Sequence, residues 1–145
     1  MSLATATVAI SDWIAAQLAL QPALSGVGVY VAAASDETPR PVKGVHGPYI
    51  TLRHLGSVDH LYIGGALAGT STVYEVTAWD EGTATDGLTP IVAAIHAALH
   101  KQRGGAGDVA ISSSTRSAPV ERQVPEDDRL YTQLGGEYRI RASAD

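Results

Sequence analysis

The sequence predicts an α+β fold: an antiparallel or mixed sheet of about five strands with two helices packed against it. Three observations predict it. Two segments carry apolar residues at helical spacing, several carry β-branched and aromatic residues in alternation, and Gly, Pro and acidic residues punctuate the gaps.

The first helix spans Thr7 to Leu20, where Ile10, Trp13, Ile14 and Leu18 form one stripe, and Pro22 ends it. A short strand follows over Val27 to Ala33. Residues 34–47 read as a loop holding Pro39, Pro41, Gly44 and Gly47. Pro48 opens a strand from Tyr49 to Val58 whose Arg53 and His54 suggest a face meeting solvent or a partner. Residues 59–71 are apolar but broken by Gly64, Gly65 and Gly69, as in a hairpin turn or a segment that orders on assembly. Val73 to Trp79 is the best-formed strand, with Tyr74, Val76 and Ala78 on one face and Glu75, Thr77 and Trp79 on the other. A helix then carries Leu88, Ile91, Val92, Ile95 and Leu99. Either Asp86 caps it, or Thr89 does with Pro90 in the first turn. Gly104 and Gly105 are expected to stop it, after the cations Lys101 and Arg103. Strands are predicted at about Asp108 to Ser117 and at Arg129 to Ala142, the latter bulged or bent at Gly135-Gly136. Residues 118–128 between them read as a polar loop. The whole of 1–145 reads as one domain with mobile loops at 34–47, 59–71 and 118–128.

Composition narrows the functions. Cysteine is absent, which excludes disulfide scaffolds, thiolate zinc sites and cysteine nucleophiles. The net charge of -5 argues against a nucleic-acid grip. No Lys or Arg occurs between Arg53 and Lys101, a span holding Asp59, Glu75, Asp80, Glu81 and Asp86. No run of apolar residues is long enough to span a membrane, and the N-terminus does not read as a secretory signal.

Candidate chemistry is sparse. His96 and His100 have the i, i+4 spacing of helical zinc ligands, but Ala97 stands where a metalloprotease places its Glu, so a solvated helix flank is the better reading. His54, Asp59 and His60 with Ser57 or Ser71 could supply a hydrolytic set, yet no nucleophile elbow accompanies them. The glycines after Ile63 precede a strand, not the helix N-terminus that a phosphate loop feeds. Asp80-Glu81 and Glu126-Asp127-Asp128 read as turn acids, and Arg103-Gly104-Gly105 as a helix stop. Trp13 and Trp79 read as core anchors. No catalytic residue, cofactor or metal is expected.

The ordered set of segments resembles the tail terminator (tail completion) proteins of long-tailed bacteriophages, including the minor tail proteins of siphophages and prophages. The pieces are the helix SDWIAAQLAL, the strand VGVYVAA, GPYITLRHLG after a proline-rich loop, VYEVTAWDEG, the helix GLTPIVAAIHAALH and the closing LYTQLGGEYRIRA. The Gly-rich LYIGGALAGTS departs from that pattern by its length. The resemblance implies a structural virion protein, assembled in the host cytoplasm, that caps the head-proximal end of the tail tube as a homo-hexameric ring. Such a ring stops tube polymerisation and joins the head. Its implied partners are further copies of itself, the tube protein and a head connector or head-closure protein, with DNA only passing through and no membrane. A lumen wall without bases would let DNA slip, so Asp59, Glu75, Asp80, Glu81 and Asp86 are expected on a lumen or assembly surface. Leu61, Tyr62, Gly64, Gly65 and Gly69 are expected in an assembly loop. The same residues are compatible with another neck component, a tube subunit, a small hydrolase or a ligand-binding module.

Overall fold

The computed structural model describes residues 3–31, 41–42, 45, 47–61, 67–83, 85–106 and 109–144; the side chains of 3–7, 59–61, 67, 68, 106 and 144 lie outside that description. The order is α1 (Leu3–Ala19), a short 3-10 turn (Pro22–Leu24), β1 (Gly28–Val31), β2 (Tyr49–Leu61), β3 (Leu67–Glu81), α2 (Thr89–Leu99), β4 (Gln102–Ala106), β5 (Val109–Glu126) and β6 (Arg129–Ala144). The strands form one six-stranded sheet in the order β1-β2-β3-β6-β5-β4, curled as a half-barrel. β1 runs parallel to β2, and the other pairs are antiparallel, so the sheet is mixed.

Both helices pack on one face. Ile10, Ile14 and Leu18 of α1 and Ile95 and Leu99 of α2 are buried against Ile50 and Leu52, Val76 and Ala78, and Ile140. Each such side chain contributes about 1.5–3 kcal/mol on burial. Tyr74 points the same way, and its phenol reaches Ser11 on α1; burial raises its pKa to about 12 despite that hydrogen bond.

The sheet has six strands where the sequence suggested about five. The additional strand is β4, in the residues read as a helix stop and linker. α2 ends instead at Leu99, and just beyond it Lys101 adopts a left-handed φ of 58° and donates its N–H to the Ser114 carbonyl at 2.7 Å. That bond hands the chain directly to β5's neighbour position. Gly104 then serves packing: a Cβ there would lie 3.0 Å from Trp13 Nε1. At the helix start, Leu88 occupies the cap position without a side-chain cap bond, and Thr89 Oγ1 donates to the Thr85 carbonyl.

Residues 118–126 also differ from expectation. They are not a loop but the second half of β5, paired with β6 as far as Glu126 opposite Arg129. β4 covers β5 only up to Ser114, so the later residues form a free edge, where Pro119 and Pro125 are tolerated. Gly135 and Gly136 pair with β3 without a register shift; the irregularities of β5 fall at Ile111/Ser113 and Arg116/Ala118. Of the expected segment 59–71, residues up to Leu61 belong to β2 and residues from Leu67 to β3, while 62–66 lie outside the described residues. Most of 34–47 lies outside them as well.

Candidate assembly surface

The face without helices is built by period-two alternation in four neighbouring strands. β2 contributes Tyr49, Thr51 and Arg53, which sit opposite Trp79, Thr77 and Glu75 of β3. β6 adds Gln133 and Gly135, and β5 adds Arg122, opposite Gln133. These side chains form one connected network. Glu75 Oε2 accepts from Arg53 at 3.1 Å and from Arg122 at 2.9 Å, while Oε1 accepts from Gln133 Nε2 at 2.8 Å. Gln133 also donates to Thr77 Oγ1 and accepts from Arg122. Thr77 and Thr51 share a hydroxyl contact, and Trp79 Nε1 donates to Thr51 Oγ1 at 2.8 Å. Trp79 stacks on Tyr49 with an interplanar angle of 3°. The Tyr49 hydroxyl accepts the Val42 N–H, which brings the preceding loop over that end.

Gly135 makes this packing possible. A Cβ there would lie 2.8 Å from Thr77 Cα and against the Val76 carbonyl oxygen. Only glycine lets β6 approach β3 this closely, which leaves room for the Gln133 side chain.

Glu75 is therefore placed differently from the lumen wall expected of it. Its side chain is 2% exposed. Burial alone would raise its pKa, but the hydrogen bonds from Arg122 and Arg53, the Arg53 charge and Gln133 outweigh that and hold it below the usual carboxylate value. A buried, doubly paired carboxylate presents no charge to a lumen. The base-free stretch of sequence is not base-free in space, because Arg53, Arg122 and Arg129 reach it from other strands.

The remaining acids separate into two places. Asp80 and Glu81 end β3 and line a cleft of about 550 Å³ with Tyr49, Glu126, Asp127 and Arg129. Asp80 Oδ1 accepts the Glu81 N–H, and Glu81 pairs with Arg129 at 3.4 Å where both are half exposed. Asp86 follows in the exposed connection to α2. Asp59 lies at the other end of the sheet, opposite Thr70, and its side chain is outside the described residues. Sequence reasoning left Glu126 and Asp127 out of the acidic set as mere turn residues. The signal that would have found them is the alternation Val120, Arg122, Val124, Glu126, which carries β5 to the Asp80 end.

In the Gly-rich segment, Leu61 closes β2 opposite Leu67, and Gly69 packs against the Ala142 carbonyl, 2.7 Å from where a Cβ would stand. Tyr62, Gly64 and Gly65 lie outside the described residues.

Among the described residues, the histidines fall in two separate places. His96 and His100 stack at 4.4 Å between ring centroids, and His100 Nδ1 accepts the Arg116 N–H, so this pair ties α2 to the irregular part of β5. Desolvation, then the neighbouring His100 and Arg116 charges, lower the His96 pKa. His54 bonds Ser57 at 2.7 Å and packs on Tyr74. Among the described residues no group of three His, Cys, Asp or Glu side chains could hold a metal ion.

The architecture, a curled mixed sheet with helices on one face, places the chain with a solved protein of phage-like particles. A chain of a structure entitled "Virion of native gene transfer agent (GTA) particle" superposes with a TM-score of 0.68 at 22% identity, covering 97% of this chain and 99% of that one. That likeness establishes the fold. No curated protein matches the sequence. The family model of tail completion protein gp17 matches residues 8–139, and the chain belongs to that family. It is a structural virion protein of the phage tail completion kind.

Proposed function

We propose that the protein caps the head-proximal end of the tail tube as a ring, stopping tube polymerisation and offering the surface that joins the head. The observation that carries this reading is the family match, which runs continuously from the first helix to β6. The fold supports it. The hydrogen bonds of the Glu75 network serve to hold four strands together. In this reading Asp80, Glu81 and Asp86 face the lumen, where carboxylates repel DNA phosphates. The hairpin containing Leu61 and Gly69 touches a neighbouring subunit or the tube.

Deleting the gene from its particle tests the proposal. The expected products are overlong or unjoined tails, and purified protein added to polymerising tube subunits should arrest growth. Normal tails joined to heads in the deletion would overturn it.

A further inference from the structure

The helix-free face ends near the β2–β3 turn in a groove of about 520 Å³. Its lining includes Leu55, Gly56, Val58, Ser71, Val73 and Arg139. Leu55 and Val58 are 39% and 63% exposed, which puts two apolar side chains at the surface of this groove. Arg141 lies two residues beyond Arg139 on the same face, opposite Ser71. Both arginines are exposed, and neither forms an ion pair among the described residues. Glu137, further in, is only half exposed.

The opposite end of the sheet has the complementary chemistry. β5 and β6 join through Asp127 and Asp128, whose φ values of 50° and 62° make a tight two-residue turn. Both are exposed, Glu126 precedes them, and the nearby Arg129 is already paired with Glu81. Val124, Pro125 and Leu130 stand just behind the acids. Each molecule thus carries an apolar, arginine-rimmed groove at one end and a narrow acidic hairpin tip with an apolar base at the other.

We propose that the β5–β6 tip of one copy seats in the Leu55/Val58 groove of the next, with Asp127 and Asp128 facing Arg139 and Arg141. Groove and tip are different surfaces, so the contact is head-to-tail and closes into a ring if the rotation permits. Charge complementarity fixes the register and orientation of the contact, while the apolar wall supplies the burial. The proposal rests on the ring reading above and names the contact that builds the ring.

The absence of cysteine makes a direct test available. Val58→Cys and Pro125→Cys proteins, one tagged, are mixed in equal amounts at millimolar concentration and low salt, then oxidised. The heterotypic disulfide should exceed either homotypic product about tenfold, the preference that about 1.4 kcal/mol confers. Arg139→Glu/Arg141→Glu in the groove protein should remove the excess. Pairing that variant with Asp127→Lys/Asp128→Lys in the tip protein should restore it, which a misfolded variant could not do. A statistical mixture of products, or an excess indifferent to charge reversal, overturns the contact. So does loss of the excess to added duplex DNA with no rescue by the charge swap, which would assign the groove to phosphate. Arrest of tube growth with statistical cross-linking would retain the capping reading and reject this contact; the cross-link without arrest would do the reverse.

Discussion

The two faces of the sheet are buried by different means. The helix face is closed by many apolar side chains, each of which has several neighbours and can be trimmed at modest cost. Among the described residues, the other face has no helix over it. Its central residues are buried because Arg53, Gln133 and Arg122, one from each of three strands, are drawn onto the Glu75 carboxylate of a fourth. An apolar face degrades gradually, whereas a polar network fails at one atom, because removing Glu75 strands the largely buried Arg53 in a low-dielectric site.

That difference sets an order of effects. Glu75→Ala should cost about 3–5 kcal/mol, since it leaves Arg53, only 12% exposed, uncompensated within the sheet, whereas Arg122, 38% exposed, can turn to water. Chemical denaturation would read it, and a loss near that of a surface substitution would show that the network carries no weight. The same site gives the acid limb of stability. Because the folded carboxyl titrates below its ordinary value of 4.5, its contribution is present above that value and is lost as pH falls through the folded pKa. Melting curves of the wild type against Glu75→Gln should therefore converge in acid. Ile95→Val on the helix face removes one buried methyl group and should cost about 0.5–1.5 kcal/mol. If it cost as much as Glu75→Ala, the contrast between the faces would be wrong. Arg129→Ala should change stability by no more than about 0.5 kcal/mol, because the pair with Glu81 is half in water and screened by salt.

The helix face was legible in the sequence, and the polar face was not. The stripe Ile10, Trp13, Ile14, Leu18 and the run from Leu88 to Leu99 announce burial through spacing alone. Tyr74, Val76 and Ala78 were separable from Glu75, Thr77 and Trp79 by alternation, but nothing local says that Glu75 will meet Arg122, 47 residues away. Charge counted along the chain therefore grouped Glu75 with an acidic wall, where the fold pairs it with two arginines. β4 was hidden because glycines near a helix end usually act as stops; here a left-handed Lys101 does that work and Gly104 accommodates Trp13. The far half of β5 was hidden by its prolines, which signal loops unless the strand lies at an edge.

Those prolines have a consequence for assembly. From Thr115 to Glu126 the outer side of β5 carries no strand among the described residues, which is the kind of border along which a foreign chain could zip. Pro119 and Pro125 interrupt the row of donors such a zipper would require. At the other border β1 offers only four residues. Neither margin can template an endless ladder, so contacts between copies fall to side chains and turns. Such contacts can be satisfied a fixed number of times, which suits the capping role proposed above.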